Sequence, residues 1–453
     1  MDFNGKTVAI IGVAKSGIAA ARLLEGLGAN IIMYDAKPKE AFPESLLESI
    51  SDIGYEDMFG ADIGSELDRI DILVMSPGVP TDLPFIKKAQ AKGKKVLAEI
   101  EIGFLTAKAE FVAITGTNGK TTTTDLTGVI FKNAGINTFV LGNIGVPITQ
   151  ESINTKPGDV IVAETAALQM DTIDTYRPHI CAVLNVTEDH LNRYKTMDNY
   201  TKAKMRIFEN QLPTDFCLLN YDNDIARNMK DAVPSRVLYF SKSDRIQEGV
   251  FVRDGKMIFS LDGVETEIID VDRIRIPGSH NLENALAAAG MAMLYGIDAK
   301  VIRDTLIEYP GVEHRIESVR TINGIEFIND SKATNPDATL KAVEAVKKPK
   351  VLMLGGSSKD NDFDPMFREI DDSVKVCVLL GETGPALKES ADRVGFTRYV
   401  SCSGSFREAV DMAYSLADKG DAVLLSPACA SFDMFEDFEH RGEVFKDIVK
   451  ELS

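Results

Sequence analysis

The residues best able to do chemistry stand together at Thr115-Gly116-Thr117-Asn118-Gly119-Lys120-Thr121-Thr122-Thr123-Thr124, directly after the apolar run Phe111 to Ile114. A strand, a glycine-bearing loop, a lysine and a hydroxyl residue, in that order, meet the needs of a nucleoside triphosphate such as ATP. The amides of Gly116, Thr117, Asn118 and Gly119 would cradle phosphate oxygens, Lys120 would neutralise the terminal phosphates, and Thr121, with Thr122 beside it, would offer a hydroxyl to Mg2+. The spacing departs from the common GxxxxGK[ST] loop, because the first glycine of that pattern would fall on Ile114 and the glycine present is Gly116.

A second glycine turn, Gly12-Val13-Ala14-Lys15-Ser16-Gly17, follows the strand Val8 to Ile11 and opens a helix, and Asp35 ends the next strand. This is most of a dinucleotide-binding fingerprint, but its second glycine is Ala14 here, which weakens a dehydrogenase reading. Amides at a helix N-terminus still hold a diphosphate, so Val13 and Ala14 with Asp35 suit a nucleoside diphosphate better than NAD. A tight turn without a ligand is the alternative. Ser76-Pro77-Gly78 closes a neighbouring strand and could line the same crevice. Polar residues also stand at two further strand ends: Glu164 after Val160 to Ala163, and Asn185-Val186-Thr187-Glu188-Asp189-His190-Leu191-Asn192-Arg193-Tyr194 after Ala182 to Leu184.

The short loop TGTNGKTTT resembles that of the Mur ligase family and its folate-glutamating relatives, and so do LNVTEDHLNRY, Gly355-Gly356 with Lys359, and LLSPACASFDMFEDFEHRG at the C-terminus. The resemblance implies amide-bond formation through an acyl-phosphate, with Lys120, His190 and Lys204 as the catalytic set. It further implies Thr121, Glu164, His190 and Lys204 as magnesium ligands, the last as a carbamate; a solvated helix lysine is the alternative for Lys204. Asn281 and Asn284 would contact the adenine side of ATP, and Arg315 and Asp330 would be supplied to ATP by the third domain. Val13, Ala14, Asp35, Ser76, Gly78 and Asn143 would bind a UDP-linked substrate.

Within the family, Asp330-Ser331-Lys332-Ala333-Thr334-Asn335 resembles the D-glutamate-adding members, which implies UDP-N-acetylmuramoyl-L-alanine and D-glutamate as substrates. Thr334, Lys359, Ser431 and Phe438 would then hold the amino acid; a solvated lysine, a helix cap and a core aromatic are the alternatives for the last three. Another Mur or folylpolyglutamate-type ligase is the rival enzyme, and a nucleotide switch is the rival of a different class. One stretch departs from the family pattern Glu-x-Ser-Ser-Phe-Gln: Glu164-Thr165-Ala166-Ala167-Leu168-Gln169 lacks the serine hydroxyls, leaving Thr165 or water to replace them.

These residues need strand ends to hold them, and the chain supplies short apolar runs alternating with helical-period segments, the signature of parallel sheets covered by helices. The expected fold is α/β with three domains. These are a Rossmann-like UDP-substrate domain over 1–108, a central P-loop ATPase-like domain over 109–311 with a mostly parallel sheet, and a Rossmann-like amino-acid-binding domain over 312–453. The alternation of Val250 to Asp270 around Asp254-Gly255 predicts an appended antiparallel hairpin. With 453 residues and 44% apolar content the chain can build several cores. Fifty Lys plus Arg against sixty-nine Asp plus Glu give a net charge of −19, which argues against nucleic-acid and membrane-surface binding. Five scattered cysteines without a CxxC pair, and no signal or membrane-spanning stretch, predict reduced thiols in a cytoplasmic protein without membrane insertion. By analogy with the family it would be a monomer.

Overall fold

A computed structural model describes residues 1–143, 145–357 and 362–452. Its strands form three sheets, and the chain folds into two compact units, Met1–Ile274 with His280–Glu308, and Arg275–Ser279 with Tyr309–Ser453.

In the first unit, β1 (Thr7–Ile11), β2 (Asn30–Asp35), β3 (Tyr55–Phe59), β4 (Ile72–Met75) and β5 (Lys95–Ala98) make a wholly parallel sheet in the order β3-β2-β1-β4-β5. The chain runs outward from β1 through β2 and β3, then returns to the other side for β4 and β5. The carboxyl end of β1 is therefore a topological switch point, where crossovers diverge and leave a crevice. Val8, Ala9, Ile10 and Ile11 are completely buried, as expected of a strand with helices over both faces.

The same unit holds β6 (Glu110–Thr115), β7 (Thr138–Gly142), β8 (Val160–Glu164), β9 (Ile180–Val183), β10 (Phe216–Asn220), β11 (Arg236–Ser241), β12 (Gly249–Arg253), β13 (Lys256–Leu261) and β14 (Val264–Asp270), in the order β14-β13-β12-β11-β10-β9-β6-β8-β7. From β7 to β12 every pairing is parallel; β13 and β14 then turn back antiparallel. The expected hairpin is thus part of a three-stranded antiparallel meander, with β14 carrying Glu265 and Glu267 on the sheet edge. Central β6 lies between β8 and β9, so the loop leaving it is flanked by the ends of both neighbours.

The second unit contains β15 (Glu317–Ile322), β16 (Ile325–Asn329), β17 (Lys350–Gly355), β18 (Val374–Leu380), β19 (Tyr399–Ser401) and β20 (Ala422–Leu425), in the order β15-β16-β20-β17-β18-β19. Only the β15–β16 pairing is antiparallel. The last strand inserts between β16 and β17, which brings the loops after these three strands to one edge. All five cysteines are buried as free thiols. Among the described residues no helix is long and apolar enough to cross a membrane.

Candidate active site

The loop after β6 enters the helix Lys120–Asn133 through Gly119, whose φ of 84° suits a residue without a side chain. A Cβ there would also lie 2.3 Å from Asn284 Oδ1. Asn185, at the end of β9, pins the loop: its Oδ1 accepts from the amides of Thr117 at 3.1 Å and Asn118 at 2.8 Å, and its Nδ2 donates to the Asn118 carbonyl at 3.1 Å. Thr117 Oγ1 also accepts from the Thr187 amide at 3.1 Å, so the segment after β9 shapes the cradle at two points.

Two lysines converge on it. Lys120 Nζ donates to the carbonyls of Gly116 at 3.0 Å and Thr117 at 2.9 Å, and Lys204 Nζ donates to the same Gly116 carbonyl at 2.8 Å. Lys204 is buried, with its Nζ 4.4 Å from the centroid of the Tyr200 ring, which excludes the solvated alternative. Burial holds the Lys204 ammonium well below the ordinary lysine range; repulsion from Lys120 adds to this and Asp189 opposes it. The other face of the cluster is open, because the His190 side chain is about half exposed, at φ 53°, with its ring 6.1 Å from that of Tyr200. Tyr200 therefore contacts both the predicted histidine and the predicted lysine.

Glu164 pairs in register with Ile114, one residue before the end of β6. It is buried, its Oε1 accepts from Asn143 Nδ2 at 3.0 Å, and its Oε2 has no hydrogen-bond partner among the described residues. A buried carboxylate oxygen without a donor is costly unless a cation satisfies it. This donor set, with the Thr121 hydroxyl at the start of the helix, fits Mg2+. Thr165 does not replace the missing serines: it is fully buried, and its hydroxyl faces the Ala163 carbonyl and the Tyr176 hydroxyl. On the far side of the loop, Asn284 Oδ1 accepts from Thr123 Oγ1 at 3.2 Å while its Nδ2 donates to Asn281 Oδ1 at 3.1 Å, so this pair is held against the phosphate-loop helix.

Around the first glycine turn, Asp35 accepts from the Val13 amide at 3.2 Å and the Lys37 amide at 3.1 Å, and Ser76 Oγ donates to the Gly12 carbonyl at 2.8 Å. The ends of β1, β2 and β4 thus meet here, and Ala14 is the residue preceding the helix Lys15–Gly26, with no side-chain cap. Gly78 is exposed just beyond Ser76. Lys15 Nζ reaches across to the Gly145 carbonyl, beyond Asn143, at 2.5 Å.

In the second unit, Asp330 follows β16 and is fully buried; it accepts from Ser426 Oγ at 2.7 Å and from the Ile316 amide at 3.2 Å. Burial pushes its carboxyl up to about 7, against the Ser426 hydrogen bond, the Arg315 and Arg441 guanidiniums and the Ile316 amide. His314 and Ile316, flanking Arg315, have φ of 61° and 47°, and a β-branched residue held there stores strain. Phe438 is half-buried rather than core, with Lys332 Nζ 5.0 Å and the His314 ring 6.4 Å away. Ser431 is buried and Thr334 half-exposed, while Lys359 lies outside the described residues. The cap of the last helix is Asp437, not Ser431.

Several organising residues were not singled out from sequence. Asn185 and Tyr200 are two; their signals were a polar residue at a strand end and the four-residue spacing of Tyr200 and Lys204 on one helix face. Arg441 is a third: almost wholly buried, it donates to Ser331 Oγ and to the carbonyls of Ser331, Cys429 and Ala430, joining the loops after β16 and β20. A lone arginine in an amphipathic terminal helix gives no such signal.

A glycine-lysine-threonine loop at a parallel-sheet switch point, bordered by a buried carboxylate and a desolvated lysine, defines a nucleotide-using α/β enzyme. Models of the MurD-like N-terminal domain, the Mur ligase middle domain and the Mur ligase glutamate ligase domain match residues 6–98, 114–292 and 314–429. The chain belongs to the Mur ligase family, and is an ATP-dependent ligase that forms amide bonds. It is 46% identical to the UDP-N-acetylmuramoylalanine--D-glutamate ligase of Alkaliphilus oremlandii, and 43% identical to that of Clostridioides difficile, with all of both chains covered in each case. Among solved structures it resembles the UDP-N-acetylmuramate-alanine ligase MurC of Thermotoga maritima, at a TM-score of 0.61 and 17% identity over 98% of this chain and 99% of that one. The MurF ligase of Thermotoga maritima in complex with ADP gives 0.58 and 15% over 93% and 95%. These structures share the fold.

Proposed function

We propose that the protein joins D-glutamate to UDP-N-acetylmuramoyl-L-alanine at the expense of ATP, in the cytoplasmic stage of peptidoglycan synthesis, acting as a monomer of three domains with boundaries near residues 109 and 312. The observation that carries this reading is the full-length similarity to D-glutamate ligases in a chain whose phosphate loop, Lys120, Lys204 and Glu164 gather at adjoining strand ends.

The terminal alanine carboxylate attacks the γ-phosphorus of ATP, giving an acyl-phosphate and ADP. The amine of D-glutamate then attacks the acyl carbon, phosphate leaves, and the ammonium formed gives up its proton as the amide is made. Lys120 and the loop Gly116 to Thr122 hold the phosphates, with the Thr117 and Asn118 amides already donated to Asn185 and the helix entrance Gly119 to Thr122 offering the amides; removing one such electrostatic group typically costs about 10²- to 10³-fold in rate. Asn281 and Asn284 serve the adenine side, and Arg315 and Asp330 serve ATP from the third domain. Thr121, Glu164, His190 and carbamylated Lys204 would hold Mg2+, which supplies Lewis-acid neutralisation of the gathered oxyanions. The depressed basicity of Lys204 supports the carbamate: a neutral amine adds carbon dioxide, releasing a proton, and becomes an anionic oxygen donor. Val13, Ala14, Asp35, Ser76, Gly78 and Asn143 bind the UDP-linked substrate. Thr334, Lys359, Ser431 and Phe438 receive D-glutamate.

The test is phosphate release by purified protein given ATP, Mg2+, UDP-N-acetylmuramoyl-L-alanine and D-glutamate. Turnover should require all of them. Equal release without D-glutamate, or with L-glutamate or a diamino acid in its place, overturns the assignment.

A further inference from the structure

Arg193 lies on the one-turn helix Leu191–Tyr194, directly after His190. The amides of Arg193 and Tyr194 both donate to the His190 carbonyl at 3.0 Å, so whatever holds the Arg193 side chain also fixes the histidine backbone. The guanidinium has two partners. Nη1 donates to the Val79 carbonyl at 3.1 Å, and Nη2 donates to Asp171 Oδ2 at 2.8 Å, with both side chains mostly buried.

Each partner is itself anchored. Val79 closes the turn after β4: its amide donates to the Ser76 carbonyl at 3.0 Å, and Ser76 Oγ donates to the Gly12 carbonyl. The Val79 side chain also packs so close to Gly12 that a Cβ on the glycine would lie 2.8 Å from it. Asp171 follows the helix Ala167–Met170, which begins three residues after Glu164. Its Oδ1 accepts from the Tyr194 hydroxyl at 3.0 Å, and its carbonyl accepts from Arg206 Nη1 at 2.6 Å. One side chain therefore links the first glycine turn, the segment after Glu164 and the segment carrying His190.

We infer that Arg193 is a positioning residue that couples occupancy of the first glycine turn by a nucleoside diphosphate to the placement of the His190 and Glu164 segments. The inference rests on the reading of that turn as the UDP-substrate site. A ligand diphosphate that orders Gly12 to Ala14 also orders Ser76 to Val79, and Arg193 transmits this to His190 through the Val79 carbonyl. The sheet that binds the UDP-linked substrate would thereby help assemble the site where its carboxylate reacts.

Two measurements decide it. In hydrogen exchange, UDP alone should protect residues 187–195 of the wild-type protein as well as the first glycine turn. In Arg193→Ala the protection should stay at the turn and disappear from 187–195, with Arg193→Lys intermediate because an ammonium can keep one of the two bonds. In steady-state kinetics, Arg193→Ala should raise KM for UDP-N-acetylmuramoyl-L-alanine about tenfold, the loss expected for one charge-assisted hydrogen bond, while the Kd for ATP stays within about twofold. If Arg193→Ala does not fold, the same comparisons are read from Arg193→Lys. Protection reaching 187–195 equally in the variants, no protection there in the wild type, or an unchanged KM overturns the inference. Wild-type protein that transmits protection but shows no D-glutamate-dependent turnover overturns the proposed function and leaves the coupling standing.

Discussion

Replacing Asp330 with asparagine should make the protein more stable at alkaline pH than at acid pH relative to wild type. The ordinary aspartate value is 3.8 and burial raises this one to about 7, which penalises the ionised native form by about 4 kcal/mol. Because the folded value exceeds the unfolded one, the native state binds the proton more tightly. The stability this group confers is fully present below about pH 4 and is lost as pH rises through about 7. Asparagine has the shape of the protonated acid and does not titrate, so it keeps a constant contribution. Stability of Asp330→Asn minus that of wild type should therefore grow by about 3 kcal/mol between pH 5 and 8, the part of the shift that falls in that interval. A constant offset, from the amide facing Ser426 Oγ and the Ile316 amide, shifts the whole difference without changing its slope. Urea unfolding of both proteins across that range, followed by circular dichroism, gives the difference directly. A flat difference, or a wild type that gains on the variant as pH rises, would refute the reasoning that desolvation outweighs the Arg315 and Arg441 charges.

Lys120→Ala should lose about 10²- to 10³-fold in kcat with an unchanged urea midpoint, and retained phosphate release would remove Lys120 from the chemistry. Lys204→Ala should lose turnover and recover part of it with added formate or acetate if a carbamate is the native donor; no recovery would end that assignment. Gly119→Ala combines a left-handed backbone, costing about 1–2 kcal/mol, with a Cβ in contact with Asn284. It should weaken ATP binding in a titration, and an unchanged affinity would place the nucleotide elsewhere.

What the sequence makes legible is chemistry that a single short segment carries. The phosphate loop reads from its own letters because glycine, lysine and threonine each have a separate task there, and β6 with the helix Lys120–Asn133 follows from the flanking apolar residues. The ends of β1 and β2 are read together because the fingerprint spaces them, and β4 joins them through the Ser76-Pro77-Gly78 turn that closes its strand beside β1. The ties that give the site its geometry are a different kind of information. Asn185 reaches the loop from 67 residues away, Arg193 reaches Val79 from 114, and Arg441 reaches Ser331 from 110. Asn185 shows itself locally only as a polar residue at a strand end, and nothing local distinguishes Arg193 and Arg441 from surface residues; strand order decides their partners. The edge strand β14 was hidden for a related reason, since Glu265 and Glu267 mark a strand that faces water and is guarded against further pairing. Thr165 shows the limit most plainly. Its type suits the role of a missing serine, but the two-residue period of β8 leads the chain into a turn where Thr165 points inward at Tyr176. Among the described residues Asn143 is the donor to the Glu164 carboxylate, so the placement of that carboxylate depends on the pairing of β7 with β8, which sets Gly142 opposite Glu164.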